Sequence, residues 1–223
     1  MLKLTSGTEF LALPGPAGRI DVALDLPAGP VIGVAVIAHP HPLFGGTRDN
    51  KVVQTLARAL LATGHACWRP NFRGVGDSDG SHDQGNAETD DLLAVVAAAR
   101  AHPSATGAAA QALVLAGFSF GSFVQTRVAS RLREQSEPAR RLILVGTAAS
   151  RFPVEPVPAN TLVIHGELDD TVPLQSVLDW ARPQDLPVVV LPGADHFFHR
   201  RLPIIKRLVV AALGHGPEAS LAD

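Results

Sequence analysis

A serine between two glycines, near the middle of the chain, is the residue best suited to act as a nucleophile. Gly117-Phe118-Ser119-Phe120-Gly121 is a G-x-S-x-G pentapeptide. The apolar residues 111–116 before it are typical of a short buried strand, and residues 123–135 after it have helical periodicity. A strand, a sharp turn holding serine and a helix form a nucleophile elbow, whose glycines let strand and helix pass closely. The pattern favours a nucleophilic Ser119 at a helix N-terminus, where N–H groups can stabilise an oxyanion, over an ordinary Gly/Ser turn.

A nucleophilic serine needs a base and an acid, and two later loops supply candidates. Residues 165–173 (HGELDDTVP) and 192–199 (PGADHFFH) each follow a predicted buried strand. A carboxylate in the first loop can accept a hydrogen bond from an imidazole of the second and fix its tautomer. Alternatively, the two aspartates of the first loop can cap the next helix, and the histidines can begin the last helix without a role. The order Ser119, Asp169, His196 on three strand ends favours a triad.

Strand and helix patterns alternate along the whole chain, and this alternation decides where the three residues must lie. The predicted strands are residues 19–26, 31–38, 66–70, 111–116, 141–145, 161–164 and 187–191, and the predicted helices are 50–62, 88–100, 123–135, 173–181 and 201–213. The first strand alternates as an antiparallel edge strand does, whereas 31–38 is a continuous apolar run. This pattern predicts one α/β domain over residues 1–223, with a mostly parallel sheet of about seven or eight strands and helices on both faces. The tail 215–223 is expected to fray.

Composition argues against several classes of partner. The chain has 19 basic and 21 acidic residues, a formal net charge of −2, so we expect neither a nucleic-acid surface nor a polybasic membrane patch. The single cysteine, Cys67, excludes a disulfide within the chain and favours a reducing compartment. No apolar run approaches the ~20 residues of a membrane span, and the N-terminus lacks the apolar run of a signal peptide. We therefore expect a cytoplasmic protein that acts on a small molecule, with a homodimer left open.

Five blocks of sequence carry a resemblance to a known family. They are residues 39–47 (HPHPLFGGT), 71–80 (NFRGVGDSDG), 117–121, 165–173 and 193–198. In this order they resemble the small lidless bacterial α/β-superfamily hydrolases, usually described only as predicted hydrolases, and more distantly the dienelactone hydrolases and acyl-aminoacyl peptidases. The resemblance implies a single α/β-hydrolase domain in which Ser119 is the nucleophile, Asp169 the acid and His196 the base. Arg48 and residues 85–88 (GNAE) depart from the family pattern at the expected rim of the site.

The predicted oxyanion hole combines two backbone N–H groups. One is that of Phe120, directly after the nucleophile. The other belongs to the loop after strand 31–38, where Leu43 is the first choice and His41 the second. Pro40 and Pro42 have no N–H, which narrows the choice. The candidates for an acyl pocket are His41, Phe118, Phe197 and Phe198. Aromatic residues beside an elbow, however, more often belong to the core.

Other motifs carry less weight. The pair His39-x-His41 suggests a metal site, but no H-E-x-x-H or similar motif follows, so we expect no metal and no other cofactor. Residues 74–80 nearly match a dinucleotide-binding loop, but Asp79 stands where that motif requires glycine. A tight turn after a strand is therefore favoured. Residues 146–160, which separate two predicted strands, contain three prolines and no helical period. They are too short for a cap domain, so the site should be open.

These observations predict a serine esterase or thioesterase that works through an acyl-enzyme on Ser119. An amidase or peptidase is the nearest alternative, because the same triad cleaves amides. A non-catalytic binding protein on the same fold is the alternative from another class. Such proteins usually lose a triad member, and this chain has all three.

Overall fold

The computed structural model describes residues 7–214, which form a single eight-stranded sheet with helices on both faces. The strands are β1 (Thr8–Gly15), β2 (Gly18–Asp25), β3 (Gly33–Ala38), β4 (His65–Pro70), β5 (Leu113–Phe118), β6 (Arg141–Val145), β7 (Leu162–Gly166) and β8 (Val188–Leu191). The helices are α1 (Lys51–Ala62), α2 (Asn86–Ala101), α3 (Ala108–Gln111), α4 (Phe120–Glu134), α5 (Leu174–Ala181) and α6 (Leu202–Gly214), with 3₁₀ turns at Pro42–Phe44 and Arg182–Gln184. The predicted fold class is confirmed; the tail 215–223, expected to fray, lies outside the described residues.

The strand order is β1-β2-β4-β3-β5-β6-β7-β8. Strands β3 to β8 pair in parallel, whereas β1 and β2 pair antiparallel to each other and β2 pairs antiparallel to β4. One expectation was wrong: β2 is antiparallel but not an edge strand. The unpredicted β1 pairs with it from Thr8↔Asp25 to Gly15↔Gly18 and takes the edge position. Most β1 side chains are exposed, so this strand lacks the buried apolar run that identified the others.

Two hydrophobic layers hold the helices against the sheet. In β5, Leu115 belongs to the layer under α2, α4 and α5, and the next residue, Ala116, belongs to the layer under α1 and α6. Successive strand residues point to opposite faces, so a strand buried on both faces is apolar throughout, as β5 is. The continuous apolar runs therefore lie in the middle of the sheet.

The parallel strands bring three loops to one edge of the sheet. The loops after β5, β7 and β8 all leave from the carboxyl ends of parallel strands in one half of the sheet, and these loops carry Ser119, Asp169 and His196. The connection between β6 and β7, residues 146–161, contains no helix. Consequently no cap domain is built from it over that edge. None of the helices within residues 7–214 is long and apolar enough to cross a membrane.

Candidate active site

Ser119 occupies a strained turn between β5 and α4. It has φ 54° and ψ −119°, a combination that non-glycine residues rarely adopt, and its N–H donates to the Val145 carbonyl at 2.9 Å. The flanking glycines are required by close backbone contacts. A Cβ on Gly117 would lie 2.5 Å from the carbonyl oxygen of Gly121, and a Cβ on Gly121 would lie 2.4 Å from the carbonyl oxygen of Ala38. Strand, helix and the loop after β3 therefore meet at the serine.

The three predicted triad residues form one chain of hydrogen bonds. The Oγ of Ser119 lies 3.0 Å from Nε2 of His196, and Nδ1 of the same ring lies 2.7 Å from Oδ2 of Asp169. All three residues are buried. Because a carboxylate only accepts, Nδ1 carries the ring proton and Nε2 is free to accept the serine hydroxyl proton. This is the arrangement that general-base activation of a serine requires.

The loop around Asp169 fixes its carboxylate. Oδ1 accepts the backbone N–H groups of Thr171 and Val172 at 3.0 and 2.7 Å. Nε2 of His165 donates to the Val172 carbonyl at 2.9 Å, and burial lowers the pKa of this imidazole, so the ring is neutral. Asp170, in contrast, is exposed, and within the described part of the chain its side chain accepts a hydrogen bond only from the Thr171 hydroxyl, at 3.3 Å. The structure thus places Asp169, and not its neighbour, against the imidazole.

The two predicted oxyanion donors differ in their surroundings. Phe120 is the first residue of α4, and the N–H groups of a first helical turn have no partner within the helix. The N–H of Leu43, however, donates to Nδ1 of His41 at 3.3 Å, and Leu43 does not line the cavity. His41, the second choice, does line it. The loop tightens into a 3₁₀ turn over Pro42–Phe44, and in this turn the His41 side chain caps the Leu43 amide.

His39 connects two of the loops that the family blocks contain. Its Nδ1 donates to the Pro40 carbonyl at 2.6 Å, and its Nε2 accepts the Phe72 N–H at 2.9 Å. Burial lowers the pKa of His39 to about 4, so the ring is neutral at physiological pH and can accept at one nitrogen while it donates at the other. The histidine therefore joins the loop 39–47 to the loop 71–80, a role that the spacing of histidines alone did not suggest.

A second buried contact supports the wall beneath His41. The His82 ring lies 4.6 Å from the His41 ring, and Nδ1 of His82 is 2.8 Å from Oε1 of Glu88. Glu88 is fully buried and also accepts the N–H groups of Asp83 and Gly85, both at 2.8 Å. The segment 85–88 thus departs from the family pattern but keeps a glutamate that anchors the loop below the site.

A cavity of about 510 Å³ opens at Ser119. Its walls are Pro40, His41, Phe44, Gly45, Gly46, Asn50, Ser119, Phe120, Ala148, Arg151, Phe152, Thr171, Val172, His196 and Phe197. Of the four predicted pocket residues, His41 and Phe197 line this cavity. Phe118 and Phe198 do not: both are fully buried in the layer under α1 and α6. Phe118 points there because it continues the strand alternation of Val114 and Ala116.

Most residues of the cavity wall were not predicted from the sequence, among them two aromatic residues and one cation. Phe44 is 80% exposed on the loop after β3, and Arg151 and Phe152 come from the connection between β6 and β7. The rings of Phe120 and Phe152 lie 5.1 Å apart, so the missed phenylalanine extends the apolar wall beside the elbow. For Arg151 and Phe152 the sequence offered one signal. The connection between β6 and β7 follows a buried strand, so it leaves the sheet at the same edge as the three site loops.

Neither a metal site nor a cysteine nucleophile is supported by the described residues. Within residues 7–214, no group of three His, Cys, Asp or Glu side chains is placed to hold a metal ion. Cys67 is fully buried in β4, and burial raises the pKa of its thiol far above the ordinary value. A buried, protonated thiol is a poor nucleophile, so Cys67 belongs to the core.

Comparison with known proteins identifies the family. The family model described as alpha/beta hydrolase fold matches residues 43–160. An uncharacterized protein of Rickettsia prowazekii is 30% identical over 195 residues, which are 82% of this chain and 79% of that protein. A crystal structure from Xanthomonas campestris, described as an a/b serine hydrolase without lid, is 37% identical with a TM-score of 0.84 and covers 97% of this chain and 100% of its own. An alpha-beta serine hydrolase homologue from Coxiella burnetii is 35% identical with a TM-score of 0.77, covering 95% and 99%. One structural neighbour is thus a serine hydrolase without a lid, and the chain belongs to the alpha/beta hydrolase fold family.

Proposed function

We propose that the protein is a serine hydrolase that cleaves carboxylic ester or thioester bonds through an acyl-enzyme on Ser119. The observation that carries the proposal is the hydrogen-bonded chain from Ser119 Oγ through His196 to the Asp169 carboxylate, at 3.0 and 2.7 Å. Ser119 lines a cavity with aromatic walls, and this cavity is large enough for a small acyl substrate.

Each triad atom has one task in the reaction. Nε2 of His196 takes the hydroxyl proton as Ser119 Oγ bonds to the substrate carbonyl carbon, which forms a tetrahedral oxyanion. The imidazolium then gives this proton to the leaving alcohol or thiol, and the carbonyl reforms as the acyl-enzyme. In deacylation, His196 takes a proton from a water molecule, which attacks the acyl carbonyl carbon, and the carboxylic acid product leaves as Ser119 Oγ regains its proton. Asp169 stays ionised throughout and accepts the Nδ1–H bond, which stabilises the imidazolium.

The oxyanion would be held by the N–H groups of Phe120 and His41. Phe120 supplies a free N–H at the N-terminus of α4, where the helix dipole also favours negative charge. His41 replaces Leu43 in this proposal, because the Leu43 N–H already donates to the His41 ring and Leu43 lies outside the cavity. Loss of one such donor typically costs about 10²–10³ in kcat in related chemistry.

Labelling with a fluorophosphonate probe tests the nucleophile. We expect the wild type to react and Ser119→Ala to remain unlabelled, with ester turnover reduced by several orders of magnitude because triad residues act as a unit. Ser130→Ala, a substitution farther along the same helix, is the control and should label as the wild type does. Undiminished labelling of Ser119→Ala would disprove the mechanism.

A substrate panel separates the proposal from its alternatives. We expect turnover of short p-nitrophenyl esters or acyl-CoA thioesters, with little turnover of the matching p-nitroanilides. A preference for anilides would favour an amidase, and absence of both labelling and turnover would favour a binding protein. Each substrate should be measured with and without EDTA. Inactivation by the chelator with recovery on addition of zinc would contradict a metal-free triad.

A further inference from the structure

One fixed positive charge lies in the wall of the cavity that contains Ser119. Among the described residues that line this cavity, Arg151 is the only Lys, Arg, Asp or Glu. It directly precedes Phe152, whose ring packs on that of Phe120 beside the elbow. The cavity therefore has apolar walls, one cation and no carboxylate to balance it.

No carboxylate of the described residues 7–214 neutralises the charge of Arg151. Within residues 7–214, Arg48, Arg69 and Arg73 form ion pairs with aspartates, whereas no carboxylate pairs with Arg151. Its Nε donates to the Thr171 carbonyl at 3.4 Å, on the loop that also carries the candidate acid. Because a guanidinium has five N–H donors, this contact orients the group and leaves its two terminal amino groups for a ligand.

The charge of Arg151 also acts on His41, another residue of the cavity wall. The pKa of His41 is lowered chiefly by burial, and the interactions with the His82 ring and with the Arg151 guanidinium lower it further, whereas the Glu88 carboxylate raises it. Arg151 thus lies close enough to the proposed oxyanion loop to influence a group on it. An anionic group of a substrate bound in the cavity would be attracted to the unpaired guanidinium of Arg151.

We infer that Arg151 selects acyl groups that end in a carboxylate, so that the preferred substrates are half-esters or half-thioesters of dicarboxylic acids. The inference rests on the proposed serine hydrolase function and deepens it. The leaving group must lie near His196, from which it receives its proton, and the Phe197 ring packs against His196. The rings of Phe120 and Phe152 pack on each other in the cavity wall, and Arg151 directly precedes Phe152, so an acyl chain can contact the rings while its carboxylate binds the guanidinium through two parallel hydrogen bonds.

Two phenyl esters of equal chain length test the inference. Monophenyl adipate ends in a carboxylate, and phenyl heptanoate ends in a methyl group. We expect the wild type to have a kcat/KM about tenfold higher for the adipate, the size of one charge-assisted contact at a partly exposed site, and this preference should shrink at high salt. Arg151→Met should lower kcat/KM for the adipate by about tenfold and leave the heptanoate within about twofold. Arg151→Glu should reverse the selectivity towards phenyl 6-aminohexanoate, whose chain ends in a cation.

A matched variant controls for charge. Arg207 is exposed on α6 and does not line the cavity, so Arg207→Met should leave the preference for the adipate unchanged. A wild type that does not prefer the adipate overturns the inference. So does an Arg151→Met variant that loses equal activity on both esters, because this would show that the arginine acts only by holding the Thr171 loop. Turnover of neither ester, together with absence of fluorophosphonate labelling, would instead overturn the proposed function itself.

Discussion

Replacing Asp169 by asparagine would change the chemistry of the acid while keeping its shape. Oδ1 accepts the Thr171 and Val172 N–H groups at 3.0 and 2.7 Å, and an amide oxygen can accept the same two bonds. At the Oδ2 position, 2.7 Å from Nδ1 of His196, asparagine would present an NH₂ group. The ring must then accept at Nδ1 and carry its proton on Nε2, which faces Ser119, so it cannot take the serine proton.

We therefore expect Asp169→Asn to fold and to lose roughly 10⁴-fold in kcat, which is the size of the same change in a serine protease triad. This loss corresponds to roughly 5 kcal/mol of transition-state stabilisation. The free energy of unfolding should fall by only about 1–3 kcal/mol, the usual cost of one charged hydrogen bond. The assay is kcat and KM for p-nitrophenyl butyrate, with denaturant unfolding of the same preparation.

Asp170→Asn is the matched control. The Asp170 side chain is exposed and its one hydrogen bond, to the Thr171 hydroxyl, is 3.3 Å long, so kcat should stay within about twofold of the wild type. Larger loss in Asp170→Asn than in Asp169→Asn would refute the choice of acid. An Asp169→Asn enzyme that keeps more than a tenth of the wild-type kcat would refute the reasoning about the tautomer.

Two further predictions concern stability. Burial lowers the pKa of His39 to about 4 from the ordinary value of 6.5, so below pH 6.5 the unfolded chain binds the proton more readily, and stability is lost as the pH falls towards 4. The full difference is about 3 kcal/mol, and unfolding titrations should show His39→Gln losing less than the wild type over this range; equal losses would contradict the assignment. Gly121→Ala should destabilise the protein by about 1–3 kcal/mol or more, because its Cβ would lie 2.4 Å from the Ala38 carbonyl oxygen. Gly29→Ala, where the Cβ meets no atom within 4 Å, should stay within about 0.5 kcal/mol, and similar losses in both variants would show that the close contact at the elbow has no cost.

The strands and helices that carry the site were predictable because their signals are local. β3 and β5 are continuous apolar runs, and each is buried along its entire length. α4 begins at Phe120, three residues before the predicted start, because the sharp elbow leads directly into the helix. α3 (Ala108–Gln111) was not predicted, since four residues are too few to show a helical period. β1 was missed because its stability comes from pairing with β2 and not from a buried pattern of its own.

The surroundings of single residues at the site were less predictable. Phe118 and Phe198 were expected in the pocket and lie in the core instead. For Phe118 a local signal exists, because it ends β5 and continues the alternation of Val114 and Ala116, which face the core. Leu43 was the first choice for an oxyanion donor, yet its N–H donates to the His41 ring. No local pattern predicts this contact, because it depends on how tightly the loop turns.

The sequence by itself determined the alternating α/β plan, the elbow at Ser119 and the chain order of the candidate acid and base. These features follow from the periodicity of apolar side chains and from the small residues that a tight turn requires. Both signals lie in residues that are adjacent in the sequence. Only the tertiary structure decided that Arg151 and Phe152 share a cavity with Ser119, and that His39 joins two loops. Such contacts join segments that are distant in the chain. They depend on the order in which the strands pair and on the paths of the loops that leave them, and neither is recorded in a local pattern.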